Sequence, residues 1–382
     1  MRVLIATVTA GGGHVAAAAA IEEAWRESRP EDALERLDLG RFFSPLHRKV
    51  YSQGYLQVAD HAPELWGMLF KQTDRPELAR KLSRWKRAFP SASRSKFTRH
   101  LAKFDPDVVL CTHYLPLEAL GKLKRRLAGD ALGEAAKPFV ASVVTDFEAH
   151  ALWMDDCVDL YCVAAEQTRA RLIARGAEPA RVVATGIPIS PRFSLRIDPA
   201  RARRKLGLRD DLPVVLVLSG GFGMGPVAEC VAELDKVSKP FQVVVVTGKN
   251  QELRRELAMQ DRRHPTHVLG FATNMPELMA VADLILSKPG GLTTSEALAM
   301  GKPLFIVNPI PGQEAANSDF LLEQGAGAKV NRVEDLPFRV EQLLGSRKLT
   351  EMGRAAKALG RPKAAKEICA QVVSRLTAAT KA

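Results

Sequence analysis

The sequence contains no apolar run approaching the roughly 18 to 20 residues needed to cross a bilayer. Its most apolar segments, such as Pro213 to Ser219 and Phe241 to Thr247, have the length of strands, so any membrane contact is expected to be peripheral. Cysteine is sparse: Cys111, Cys157, Cys162, Cys230 and Cys369 form no C-x-x-C pair, and none stands beside a histidine at zinc-ligand spacing. That excludes a zinc module and suggests buried thiols in a reducing, cytoplasmic setting. The opening residues carry too short an apolar stretch for a secretory leader before a glycine run begins, and they read as a first strand. Acidic residues are in deficit, 43 Asp and Glu against 55 Lys and Arg, for a formal net charge of +12. Such a balance suits an anionic partner: nucleic acid, an anionic membrane face or nucleotide phosphates. No nucleic-acid recognition element is present, so nucleic acid is not expected as a partner.

The chain does have bulk and rhythm. Its 382 residues, 46% of them hydrophobic, suffice for two cores of about 150 to 200 residues each. Short β-branched runs at 3–9, 108–111, 139–144, 160–163, 214–218, 243–246, 284–286 and 304–307 alternate with helical stretches, the pattern of parallel sheets covered by helices. The rhythm restarts after a Pro-rich stretch from Gly186 to Pro199, which reads as a linker. The expected architecture is α/β, with doubly wound domains at 1–190 and 191–360. A closing helix within 361–382 is expected to pack on the body, since Ile368, Val372, Val373 and Leu376 keep helical spacing. Between Phe42 and Lys103 no strand is legible. That region gathers Trp66, Phe70, Trp85 and Phe89, and from Arg80 to Lys103 it carries nine Lys and Arg with no Asp or Glu. Helix packing and a solvated face account for these residues, and so does a basic amphipathic insertion lying on an anionic bilayer.

Chemistry-bearing residues cluster in glycine loops at strand ends. Gly11, Gly12, Gly13 and His14 follow the first strand and precede an alanine-rich helix at 15–25. Glycines there let the backbone turn tightly and let a ligand reach a helix N-terminus, where exposed amides favour negative charge. His14 is either a residue of the capping region or a general base. Ser219 to Gly225 repeats the arrangement with Gly220, Gly221, Gly223 and Gly225, a density hard to justify unless something approaches the backbone closely. A third loop, with Gly290 and Gly291, leads into Thr293, Thr294, Ser295 and Glu296, where amides and hydroxyls at one helix start suit a diphosphate. Glu314 and Asn317, after Gln313, share a helix face at i, i+3; they either bind a ligand or cap their own turn. Three such loops in one half mark the strand ends where doubly wound folds bind ligands.

These motifs resemble the family of monogalactosyldiacylglycerol synthases and processive diacylglycerol glucosyltransferases, relatives of the lipid II N-acetylglucosaminyl transferase. Val144-Thr-Asp146 followed by His150 and Trp153, TGKN at 247–250 and GFATNMPELM at 270–279 join the resemblance, which runs in order over most of the chain. It implies a GT-B fold of two Rossmann-like domains with a cleft between them. It also implies an inverting enzyme that moves galactose or glucose from UDP-galactose or UDP-glucose to diacylglycerol. Carried over by position, Gly220, Gly221, Gly223, Gly290, Gly291, Thr293 and Thr294 face the diphosphate, Phe271 frames the uracil and Glu296 holds the ribose. Gln313, Glu314 and Asn317 hold the sugar; Gly11 to Gly13 form the acceptor-side loop; His14 meets the acceptor hydroxyl with Asp146 as rival or partner. The same fold also admits another lipid or soluble acceptor, or a UDP-sugar 2-epimerase. No Asp-x-Asp pair stands at a strand end, so no essential metal is expected. The enzyme is expected in the cytoplasm, peripheral to the inner face of the plasma membrane.

Overall fold

The computed structural model describes residues 1–9, 11–44, 63–74, 91–130, 138–220 and 225–381. The chain forms two compact units, Met1–Pro191 with Lys363–Ala382, and Arg192–Pro362. In the first unit the strands are β1 (Arg2–Thr7), β2 (Ala33–Asp38), β3 (Val108–Cys111), β4 (Phe139–Val143), β5 (Leu160–Val163) and β6 (Val182–Ala184). They pair in parallel in the order β2-β1-β3-β4-β5-β6. In the second unit the strands are β7 (Val214–Leu218), β8 (Gln242–Val246), β9 (Thr266–Leu269), β10 (Leu284–Ser287), β11 (Leu304–Val307) and β12 (Gly327–Val330). Their order, β12-β11-β10-β7-β8-β9, is the same plan. In each sheet the chain leaves its first strand to one side and later crosses to the other. Switch points therefore lie between β1 and β3 and between β7 and β10, and the loops leaving those strands emerge side by side.

The inner strands are apolar on both faces because helices cover both. On one face of the first sheet, Leu4, Val109 and Val140 pack with Phe97, Leu115 and Leu120. On the other, Val3, Ile5 and Leu110 meet Ile21 and Trp25 of the helix Gly12–Ser28, and Ile368 and Val372 of the helix Ala364–Lys381. The closing helix thus belongs to the first unit. Of the basic region, the helix Ser91–Phe104 buries Phe97 and Leu101 and turns Lys96, Arg99 and Lys103 to solvent. Trp85, Phe89 and the remaining basic residues from Arg80 to Arg87 lie outside the described residues.

Candidate active site

The C-terminal edge of the first sheet gathers three loops. The helix from Gly12 starts at Gly11, whose φ of 140° most residues avoid, and it has no side-chain cap. A Cβ on Gly11, Gly12 or Gly13 would meet nothing within 4 Å. Packing does not demand these glycines, and the helix start stays open to a ligand. His14 follows, half-buried, with Nδ1 2.8 Å from the Thr112 carbonyl oxygen and 3.0 Å from Thr145 Oγ1. A carbonyl oxygen only accepts, so Nδ1 carries the proton and the lone pair sits on Nε2. The Thr112 hydroxyl donates to the His14 carbonyl at 3.0 Å and locks the two loops together. Burial lowers the His14 pKa to about 4, only partly offset by the hydrogen bond to Thr112. The imidazole is neutral at pH 7 and has a basic nitrogen to offer. Asp146 follows Thr145 on the loop after β4 and is half-buried, so its backbone is brought beside His14.

Aromatic rings surround His14, and of them only Trp153 stands in the motifs singled out above. His113 meets His14 edge to face at 4.7 Å between ring centroids, and Tyr114 and Trp153 complete the cluster at separations of 4.3 to 6.4 Å. His113 is buried and its Nδ1 accepts from the Leu115 amide at 3.0 Å. Burial, and secondly the neighbouring His14, push its pKa well down. The available signal was Thr112-His113-Tyr114 directly after β3, polar and aromatic residues at a central strand's C-terminal end. His150 proves structural: Nδ1 accepts from Leu152 N at 3.1 Å, so Nε2 donates to the Phe70 carbonyl at 3.1 Å. Asp74 accepts from both Nη atoms of Arg175 at 2.8 and 2.7 Å and from Ala151 N at 3.0 Å. These bonds tie the loop carrying Trp153 to the helix Pro63–Thr73, which leaves Leu65 and Met68 47% and 51% exposed one turn apart.

In the second unit, the helices Val227–Leu234, Gly291–Ala299 and Gln313–Glu323 begin without a side-chain cap, whereas Asp198, Asn250 and Ser346 cap the helices that follow them. TGKN therefore serves as a turn and a cap. Uncapped starts also occur after Ala165 and Asp335, away from the glycine loops. At the glycine loops a Cβ on Gly220 or Gly290 would meet nothing within 4 Å among the described residues. Gly221 and Gly223 lie outside the described residues. Gly291 and Thr294 are buried; the Thr294 amide already donates to the Gly290 carbonyl at 2.9 Å and its hydroxyl is enclosed, so Thr294 does not face a diphosphate, while Thr293 is half-buried. Glu296 is half-buried, and burial pushes its carboxyl up to about 8; nothing among the described residues hydrogen-bonds to it. Phe271, after β9, is 64% exposed.

Gln313 opens its helix half-buried, but Glu314 and Asn317 are engaged behind the loops. Glu314 Oε2 accepts from Ile310 N at 2.8 Å, and Asn317, fully buried, donates from Nδ2 to the Pro289 carbonyl at 3.0 Å. Asn317 thus braces the Gly290 loop. Asn317→Ala leaves that carbonyl unpaired at a cost of about 1 to 3 kcal/mol. The variant is expected to melt lower in a thermal scan and to bind UDP and UDP-sugar equally weakly in calorimetry. Selective loss of the UDP-sugar would instead establish direct contact with the sugar.

Residues 14–189 match the family model of monogalactosyldiacylglycerol (MGDG) synthase, and residues 214–368 match the glycosyltransferase family 28 C-terminal domain. A processive diacylglycerol beta-glucosyltransferase of Bacillus mycoides is 30% identical over 371 residues, covering 96% of this chain and 92% of that protein. The chain belongs to the family of monogalactosyldiacylglycerol synthases and processive diacylglycerol glucosyltransferases. MurG of Acinetobacter baumannii shares the GT-B fold at 16% identity, with TM-score 0.61 over 98% of this chain and 100% of that one. The UDP-GlcNAc 2-epimerase of Neisseria meningitidis, solved with UDP-GlcNAc, is similar at 15% identity and TM-score 0.62, over 98% and 100%. The fold serves transferase and epimerase alike; membership of the family makes this chain a hexosyltransferase.

Proposed function

We propose that the enzyme transfers glucose from UDP-glucose to diacylglycerol, giving the β-glucoside. The observation that carries this reading is the similarity to a diacylglycerol beta-glucosyltransferase over 96% of the chain. The second unit holds the donor: uncapped helix starts meet the diphosphate, Glu296 accepts from the ribose hydroxyls and Phe271 stacks on the uracil. His14 Nε2 takes the proton of the acceptor hydroxyl as its oxygen forms a bond to the anomeric carbon. On the opposite face the bond from that carbon to the phosphate oxygen breaks, UDP leaves with the electron pair, and configuration inverts. Asp146 stabilises the charge His14 gains. Turnover needs no divalent metal. Vesicles of diacylglycerol given radiolabelled UDP-glucose or UDP-galactose, with and without EDTA, test this. The expected product is glucosyldiacylglycerol at equal rates in both conditions; a galactolipid, loss of activity in EDTA, or isomerised sugar nucleotide would each overturn the corresponding element.

A lipid acceptor requires the enzyme to work at a membrane surface. No described helix is long and apolar enough to cross one. Docking is therefore peripheral, on the inner face of the plasma membrane, supported by the exposed Leu65 and Met68 and by the nine basic residues between Arg80 and Lys103. Replacing Arg84, Lys86 and Arg87 with Glu is expected to release the protein from anionic liposomes in co-sedimentation, while UDP binding survives. Wild-type binding should fall steeply with salt, since screening sets in over about 8 to 10 Å at physiological ionic strength. A triple variant that sediments normally would make this stretch an ordinary solvated face.

A further inference from the structure

Lys288 has no part in the roles above. It follows Ser287, the last residue of β10, at the switch point of the second sheet. Its side chain runs across Gly225: a Cβ built there would lie 3.0 Å from Lys288 Cε and 3.9 Å from Nζ. With Leu218, Pro226, Val227 and Val307 it lines a small hollow at the strand ends, and it is the one charged residue among those lining it. The ion pairs of this unit join other residues, and none among the described residues includes Lys288. No acidic side chain lines the hollow, so an anion entering it would meet Lys288 as the single formal charge there. The uncapped helix start at Pro226 and Val227 lies in the same hollow, and the uncapped start at Gly290 comes two residues further along the chain.

From this juxtaposition we propose that Lys288 is the fixed cation of the donor site. Its ammonium binds the diphosphate of the sugar nucleotide and offsets the negative charge that grows on the leaving phosphate oxygen as the bond to the anomeric carbon breaks. Gly225 holds a φ of 105°, which favours glycine, and leaves room for the lysine side chain to cross it. The inference rests on the proposed reading of this unit as the donor-binding half.

Calorimetric titration of the full-length protein with UDP and with uridine tests it, on wild type, Lys288→Met and Lys288→Arg. Lys288→Met is expected to weaken UDP about 10- to 100-fold, the range of one charge-assisted hydrogen bond, and to leave uridine unchanged. It should lower kcat more than it raises KM, because the charge is largest in the transition state. Lys288→Arg should recover most of both, and matching melting temperatures show that the variants are folded. Equal loss of UDP and uridine, or none, would overturn the inference while leaving the donor reading intact. A wild-type protein that binds no UDP would overturn that reading and this inference with it.

Discussion

His14→Ala is expected to lower kcat by about 10² to 10⁴ while leaving UDP affinity unchanged, because under the proposed mechanism the variant has no Nε2 to accept the proton of the acceptor hydroxyl. Nucleotide binding, which the proposed reading places in the other unit, serves as the internal control. The acid limb of kcat/KM should follow the lowered pKa of about 4, so the free enzyme stays active well below the usual histidine range. Stability follows the same group. Between about 4 and 6.5 the unfolded chain binds a proton at His14 and the folded protein does not, so stability falls as pH drops through that window. His14→Ala should flatten this slope in thermal scans. Near-wild-type turnover would transfer the base to Asp146.

Glu296→Gln is expected to trade binding for stability. Burial pushes the Glu296 carboxyl up to about 8, so from about 4.5 to 8 the folded protein holds a proton that the unfolded chain has released. Stability therefore falls as pH rises through that range, and the neutral amide removes the loss. The variant should melt several degrees higher at pH 9 and differ little at pH 5. At pH 9, where the carboxyl is ionised, the variant's UDP affinity should drop by roughly 10- to 100-fold, since a carboxylate accepting from ribose hydroxyls is worth about 1.5 to 3 kcal/mol. A lower melting temperature at pH 9 would make Glu296 a structural partner.

The eight strands legible in the sequence are the inner strands of the two sheets; β2, β6, β9 and β12 are the edges. Inner strands are covered on both faces and read as continuous apolar runs, such as VVLC and VVLVL. The edges are half-covered: ALERLD in β2 and THVL in β9 carry charge or polarity that hides them among loops. The glycine loops were legible because glycine is unfavourable unless the backbone needs it. His113 and Tyr114 were not, since their meaning arises only when β3 pairs with β1 and sets them beside His14. Asn317 shows the converse: its i, i+3 spacing from Glu314 admits a ligand-facing or a capping residue, and its bond to the Pro289 carbonyl, 28 residues away in the chain, is legible only in the fold.

The closing helix Ala364–Lys381 seals the first unit's core through Ile368, Cys369 and Val372, each at most 3% exposed. During synthesis, the flank of Ile21 and Trp25 that it covers waits open until all of Arg192–Pro362 has been made, a delay on the order of ten seconds at ribosomal speed. The second unit can therefore reach its native state before the first. A fragment cut at Pro191 would keep that apolar flank permanently uncovered and is expected to aggregate unless the helix is supplied in trans.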